Sequence, residues 1–244
     1  MRFLVIGFGS MGKRHYRNIR LINPLADIIV YDPMIDINGL RSCVDAAIIS
    51  SPSETHPFYM NWCLNNNPPI PFLVEKPLNT TMIDTCGLPC SIGFNYRFHK
   101  QWPIIEYLSR NGRLYFKSHE NLLKKYGATV GGTAASHAID MSLKLLGPHI
   151  KGGVHLSSDG VKLSGVIYHT RGESYYDYNI DVKDKIATIG NGESIIHLER
   201  DENCYMEEME AWIQWVTFGQ KNILLATIED GINVENCLGD VLYA

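Results

Sequence analysis

A glycine-rich turn near the N-terminus constrains the fold of this chain more than any other feature. It comprises, in order, Gly7, Phe8, Gly9, Ser10, Met11 and Gly12, which read G-x-G-x-x-G. The turn directly follows the apolar run 3–6 and precedes an amphipathic stretch at 13–21. This order predicts a strand, a tight turn and a helix that together bind a pyrophosphate. The second glycine lets the backbone approach the phosphates, and the helix N-terminus favours an anion.

A second predicted strand, at 28–31, ends at Asp32. Asp32 follows the last glycine by about 20 residues, the position at which a carboxylate accepts hydrogen bonds from an adenosine ribose. The sequence therefore predicts a dinucleotide site, and it favours NAD over NADP because a carboxylate repels a 2′-phosphate. The alternative is a structural strand–turn–helix unit in which Asp32 caps a strand end.

The composition is typical of a globular protein with neither nucleic acid nor a membrane as partner. The chain has 244 residues, of which 45% are apolar, and a net charge of -4. Its six cysteines form no C-x-x-C pair and no zinc-type spacing. We therefore expect no metal site and a reducing, cytoplasmic location. No apolar run reaches about 18 residues, and we interpret the N-terminal run as a strand rather than a signal peptide.

The order of apolar segments predicts two domains, at 1–96 and 97–244. In the first, short strands at 46–50, 71–75 and 90–94 and a helix at 54–64 predict an α/β fold with a doubly wound parallel sheet. In the second, helices are expected at 101–111, 134–146, 204–218 and 226–242, and strands at 113–117, 162–170, 174–182, 185–189 and 194–199. Apolar and polar residues alternate at 176–182, as in a half-buried antiparallel strand.

Three further segments extend the pattern set by the glycine turn. Ser51-Pro52-Ser53-Glu54-Thr55-His56 follows the third strand, Glu75-Lys76-Pro77 ends the fourth, and Gly131-Gly132 with Ser136-His137-Ala138-Ile139-Asp140 opens the long helix. With these motifs in this order, and with His15 after the glycine turn, nearly the whole chain resembles a short member of the Gfo/Idh/MocA family, which includes glucose-fructose oxidoreductase and inositol dehydrogenase.

The resemblance implies a Rossmann domain followed by a domain built on an open, mainly antiparallel sheet. It implies hydride transfer between a nicotinamide cofactor and a hydroxyl or keto carbon of a sugar, cyclitol or sugar derivative. The sheet face would form a homodimer or homotetramer interface. The cofactor-binding residues would be the glycine turn, Asp32, Ser51, Pro52, His56, Glu75 and Lys76. For His56 the alternative is a histidine on a helix surface.

Lys76 is the first candidate catalytic residue. It lies just past a predicted buried strand, at the sheet edge where such folds bind ligands. Pro77 restricts its backbone to an extended conformation, and family members often have a cis bond before this proline. Alcohol oxidation releases a proton as the hydride leaves, and a lysine whose pKa burial lowers toward ~7–8 can take it. The alternative is a surface lysine at a strand end.

His137 is the second candidate, and it shares a helix face with Asp140 three residues on. We place His137 in the first turn of its helix, where the dipole favours a neutral ring that can accept a proton. The resemblance makes it the acid/base or substrate-orienting group, with Asp140 binding substrate or orienting His137. Many members carry an aspartate four residues earlier, where this chain has Thr133. Some branches of the family lack it too.

The fifth strand is followed by Asn95 and Arg97, where the resemblance implies polar groups that face the substrate. Arg97 could pair with a substrate carboxylate or phosphate, or make a structural hydrogen bond between the domains. Two other functions stay open. One is a dinucleotide-binding regulatory or scaffold protein, and the other is a biliverdin reductase-like enzyme with a pocket lined by Tyr175, Tyr176 and Tyr178. Segments 33–45 and 78–89 are also too short for the usual crossover helices.

Overall fold

The chain divides into two units that differ from the predicted domains. The computed structural model describes residues 1–31, 37, 44–80, 82–119, 130–157, 162–179, 186–199 and 201–238. The first unit combines Met1–Phe98 with Glu202–Ile232, and the second combines His99–Asp201 with Asn233–Ala244. The first break therefore falls two residues after the expected boundary at 96. The segment Glu202–Ile232, expected in the second domain, instead belongs to the first unit.

The first unit contains a five-stranded parallel sheet, as the alternating pattern predicted. Its strands are β1 (Arg2–Ile6), β2 (Asp27–Tyr31), β3 (Ala46–Ile49), β4 (Phe72–Val74) and β5 (Ser91–Ile92), in the order β2-β1-β3-β4-β5. Because β2 and β3 lie on opposite sides of β1, the strand order reverses there. Open α/β sheets bind ligands outside the carboxyl ends of their strands at such a switch point, and the glycine turn follows β1.

In the described part of the first unit, the sheet is accompanied by the helices α1 (Ser10–Ile22) and α2 (His56–Leu64) and by a later helix, Asn203–Phe218. The later helix belongs to the first unit because its apolar residues complete the core. Trp212 is fully buried against Phe3, and its indole N–H donates to the Pro89 carbonyl at 3.0 Å. Residues 78–80 and 82–89 contain no helix, as expected. Most of segment 33–45 lies outside the described residues.

The second unit contains a six-stranded sheet, ordered β11-β10-β6-β9-β8-β7. Its strands are β6 (Arg113–His119), β7 (His149–Leu156), β8 (Lys162–His169), β9 (Gly172–Asn179), β10 (Ile186–Gly190) and β11 (Ile195–His197). Only the β6–β9 pair is parallel among the described strands, so the sheet is mainly antiparallel, as predicted. β7 was not predicted, because Gly152 and Gly153 interrupt its pattern.

Helices α3 (Trp102–Leu108) and α4 (Val130–Leu146) belong to the second unit. The helix Asn203–Phe218 of the first unit is α5, and the second boundary between the units falls inside the next helix, α6 (Ile228–Leu238). α4 packs on β8 and β9. The predicted alternation holds as far as the strand is described, since Tyr176 and Tyr178 are buried while Tyr175 stacks on Tyr115 on the other face. The rest of the predicted pattern, at 180–182, lies outside the described residues. None of the helices in the described ranges is long and apolar enough to cross a bilayer.

Candidate active site

The glycine turn leaves open space at one of its three glycines only. A Cβ on Gly7, whose φ is +87°, would lie 2.6 Å from the Cα of Ser51, and a Cβ on Gly12 would collide with the Gly7 carbonyl. A Cβ on Gly9 would have nothing within 4 Å. The outer glycines are therefore required by close packing inside the protein, whereas Gly9 presents bare backbone to an open cradle.

The N-terminus of α1 completes this cradle. No side chain caps the helix at Gly9, and its first turn contains no acidic residue. Backbone N–H groups at such an end have no intrahelical partner and attract an anion. A dinucleotide pyrophosphate therefore fits this turn, where Gly9 to Gly12 would hold it. Asp32, the predicted ribose ligand, lies outside the described residues, so its role stays a prediction.

His56 is buried, not on a helix surface as the alternative had it. Its ring is 1% exposed, with Nδ1 2.7 Å from the Pro77 carbonyl oxygen and Nε2 2.9 Å from that of Ser51. Carbonyls only accept, so a neutral ring can donate to one of them and only an imidazolium to both. Burial lowers the pKa of His56 against the opposing effects of the two carbonyls and Glu75. His56 thus connects the loop after β3 to the turn after β4.

Glu75 is held by a second buried imidazole, which the sequence analysis gave no role. His15, also 1% exposed, places Nε2 2.7 Å from a Glu75 carboxylate oxygen. Burial alone would raise the pKa of Glu75, but the His15 hydrogen bond and the charges of His15, Lys76 and His56 outweigh it and lower that pKa. The available signal was spacing, because Gly12, His15 and Ile19 share the buried face of α1.

Lys76 therefore lies between two anchored neighbours. Its preceding residue, Glu75, bonds to His15, and the carbonyl of its following residue, Pro77, faces His56. The Lys76–Pro77 peptide bond is cis, and the lysine side chain is partly buried just past β4. These contacts fix the backbone on both sides of the amine, at the carboxyl edge of the sheet where the glycine turn also lies.

Asn95 and Arg97, expected to face a substrate, make structural contacts within the first unit. Both are 1% exposed on the short 3-10 helix Asn95–Phe98. Asn95 Nδ2 contacts the Cys204 sulfur at 2.7 Å, and Arg97 donates to Asp230 at 3.3 Å. Their partners lie in the first unit, so these are not bonds between domains. Contact of either residue with a substrate stays a prediction.

We expect Asp230→Asn to lower the free energy of unfolding by about 1–3 kcal/mol at neutral pH. Burial would raise the pKa of Asp230, but Arg97 and the hydrogen bonds from Thr227 outweigh it and lower that pKa. A carboxyl with a lowered folded pKa stabilises the protein above its unfolded pKa of about 3.9 and stops doing so as the pH falls through the folded value.

The difference between wild type and Asp230→Asn should therefore shrink in acid, as urea unfolding between pH 7 and 3.5 would measure. The matched control is Glu229→Gln, which changes the exposed neighbouring carboxylate in the first turn of α6. Equal stability of Asp230→Asn and Glu229→Gln at pH 7 would contradict the ion-pair assignment.

His137 and Asp140 lie on α4, in the second unit. The helix begins at Val130, so His137 is about two turns from its start. The expectation that His137 lies in the first turn is therefore wrong, and the helix dipole does not explain a neutral ring there. Asp140 is 1% exposed and His137 is partly buried. The side chain of Thr133 lies outside the described residues.

The three tyrosines proposed to line one pocket lie on two faces of the second sheet. Tyr176 and Tyr178 are buried, whereas Tyr175 stacks on Tyr115 with ring centroids 4.5 Å apart. A single wide pocket of the biliverdin reductase kind cannot be lined by all three. Among the described residues, no cluster of histidine, cysteine and acidic side chains could hold a metal ion.

No family model matches the sequence, and no curated protein is significantly similar to it. Solved structures are similar over nearly the whole chain. The WlbA dehydrogenase from Thermus thermophilus, in complex with NAD and UDP-GlcNAcA, superposes with a TM-score of 0.75 at 16% identity, covering 97% of this chain and 93% of that one.

Two other dehydrogenases superpose as fully. UDP-N-acetylglucosamine 3-dehydrogenase from Acidithiobacillus ferrooxidans gives a TM-score of 0.73 at 16% identity, covering 97% of this chain and 94% of that one. The apo scyllo-inositol dehydrogenase from Lactobacillus casei gives 0.72 at 15% identity, covering 100% and 96%. At these identities the comparison shows the fold. The chain therefore has the fold that these three dehydrogenases share.

Proposed function

We propose that this protein is an NAD-dependent oxidoreductase of the Gfo/Idh/MocA family, which moves a hydride between the cofactor and a hydroxyl or keto carbon of a sugar derivative. The observation that carries the proposal is the open cradle at Gly9, at the switch point of a parallel sheet. The cradle has the free backbone and the uncapped helix end that a pyrophosphate requires.

A nicotinamide bound at this edge would supply or accept the hydride. The residues of this protein would carry out the proton transfer that accompanies the hydride transfer. In the oxidation direction, the Lys76 amine would accept the proton of the substrate hydroxyl as the carbon that carries this hydroxyl gives up its hydride and becomes a carbonyl carbon. His15 and His56 anchor Glu75 and Pro77 and so hold the backbone that carries that amine, which reduces the entropic cost of positioning it. His137, with Asp140, is proposed as the second group that orients substrate or carries a proton.

The substrate class is proposed from the structural neighbours. The WlbA dehydrogenase is in complex with UDP-GlcNAcA, the enzyme from Acidithiobacillus ferrooxidans is a UDP-N-acetylglucosamine 3-dehydrogenase, and the third neighbour is a scyllo-inositol dehydrogenase. All three compounds are polyhydroxylated rings with secondary alcohols. We infer that the substrate of this protein contains a ring of that kind, and nucleotide sugars are the first compounds to test.

Assembly through the second sheet is also part of the proposal. Its open face exposes Tyr115 and Ile195, and Tyr115 stacks on Tyr175 there. Exposed apolar side chains gathered on one sheet face are typical of a surface that another subunit covers. A homodimer or homotetramer through this face is the arrangement that we propose.

Calorimetric titration with NADH and NADPH tests which of the two coenzymes the protein binds more tightly. We expect NADH to bind at least about tenfold more tightly, or ~1.4 kcal/mol, because Asp32 repels a 2′-phosphate. Asp32→Ser should remove most of that preference. Binding of neither coenzyme would refute the proposal. NADH binding without hydride exchange across nucleotide sugars, cyclitols and free sugars would favour the regulatory or scaffold function instead.

A further inference from the structure

Four buried side chains form a hydrogen-bonded chain between α4 and the second sheet. The Ser142 hydroxyl lies 2.6 Å from the Tyr176 hydroxyl, which lies 2.8 Å from that of Ser174. Ser174 lies 2.8 Å from Nε2 of His169, whose Nδ1 lies 2.9 Å from the Gly147 carbonyl oxygen. None of the four is more than 4% exposed, so water does not compete for these bonds.

This hydrogen-bonded chain begins within α4 and ends at the residue that directly follows it. Ser142 lies within α4, and Gly147 directly follows its last residue, Leu146. Between them the chain passes through β9, which carries Tyr176 and Ser174, and β8, which carries His169. The C-terminal half of α4 is thus attached to the sheet at two points by directional bonds.

Donor and acceptor roles can be assigned from the histidine end of this hydrogen-bonded chain. Burial lowers the pKa of His169, with the Gly147 carbonyl opposing and His149 adding to the effect, so the ring is neutral near pH 7. The carbonyl must receive the Nδ1 proton, which leaves Nε2 to accept from Ser174. Ser174 then accepts from Tyr176. The single proton of the Ser142 hydroxyl has two acceptors within reach, the Tyr176 hydroxyl at 2.6 Å and the Ile139 carbonyl at 2.9 Å. Every member is satisfied, which buried polar networks require if they are to specify one arrangement.

We propose that Tyr176 is a positioning residue, which fixes how α4 lies on the sheet and so where His137 and Asp140 point. The proposal rests on the proposed function for the roles of those two residues. Apolar burial is non-directional, whereas a hydrogen bond requires a particular distance and angle between its partners. Two hydrogen-bonded points five residues apart, at Ser142 and Gly147, fix both rotation and translation.

The test compares Tyr176→Phe with Tyr175→Phe in the full-length protein. The control, Tyr175→Phe, removes a neighbouring hydroxyl on the opposite face of β9. That hydroxyl hydrogen-bonds to Glu173 and takes no part in the hydrogen-bonded chain that leads to α4. Imidazole resonances are recorded by NMR in histidine-labelled protein, with His137→Gln identifying the His137 signal. We expect the His137 signal to shift in Tyr176→Phe and to keep its wild-type position in Tyr175→Phe.

With a substrate from the panel above, Tyr176→Phe should lower kcat about 10- to 100-fold, the cost of a small misplacement of catalytic groups, and leave the NADH affinity unchanged. If Tyr176→Phe does not fold, Ser142→Ala removes the same bond at α4 with a smaller change in volume. An unshifted His137 signal in the folded variant overturns the positioning role. A shifted signal in a protein that transfers no hydride supports positioning and counts against the proposed function alone.

Discussion

Replacing Gly9 with alanine is expected to reduce NADH affinity at least about 100-fold, or ~2.7 kcal/mol, and to leave the apo protein as stable as wild type. Gly9 has φ -71° and ψ -157°, an extended conformation with negative φ, and a Cβ added there would meet no atom within 4 Å. The methyl group would instead occupy the space in which a pyrophosphate approaches the backbone. Calorimetric titration and thermal unfolding measure the two effects.

Gly12→Ala is the matched counterpart in the same turn. Its methyl group would collide with the Gly7 carbonyl, and its surroundings include the Ser50 side chain. We expect a loss of at least about 3 kcal/mol of folding stability, at the upper end of what overpacking costs. A Gly9→Ala protein that binds NADH as tightly as wild type would show that the turn is not the phosphate cradle.

Replacing Lys76 with methionine should slow hydride transfer about 10²- to 10⁴-fold, the usual contribution of a positioned proton carrier. Methionine keeps most of the side-chain volume and removes only the amine, so the anchors at Glu75 and Pro77 should persist. NADH affinity should therefore change less than about threefold, well under the ~1.4 kcal/mol that a tenfold change represents. Single-turnover measurement of NADH absorbance, with a substrate found in the panel, separates the chemical step from binding.

Lys221→Met is the control for that experiment. Lys221 is exposed and lies over the Trp215 ring at 5.0 Å, away from the sheet edge in question. This variant should react at the wild-type rate. Wild-type turnover by Lys76→Met would instead remove the lysine from the mechanism and leave His137 as the proposed proton carrier.

The glycine turn and the alternation of apolar segments were sufficient to predict the parallel sheet, because both signals are local. The placement of α5 was not predictable in the same way. An amphipathic helix shows which of its faces is buried but not which sheet it covers, and only the fold shows Trp212 against Phe3. The roles found for Asn95 and Arg97 depend on Cys204 and Asp230, more than 100 residues away in the sequence.

The position of His137 shows a different limit. Gly131 and Gly132 suggested a helix start, because glycine disfavours helix interiors by about 1 kcal/mol each. The helix nevertheless includes both and begins at Val130. Packing of the rest of α4 on the sheet outweighs this local preference. For the same reason β7 was not predicted. Its adjacent glycines, Gly152 and Gly153, weaken the sequence pattern of a strand, but its pairing with β8 stabilises the strand in the fold.

The division of the first unit between two stretches of sequence also has a consequence for biosynthesis. Phe3 and Val5 share a hydrophobic cluster with Met209, Trp212 and Leu225, which emerge from the ribosome some 200 residues later. Local elements such as β1 and α1 can form early, yet the cluster cannot close until the residues up to Leu225 have been made. The first unit is therefore completed late, and the apolar surface of its nascent sheet stays uncovered in the meantime.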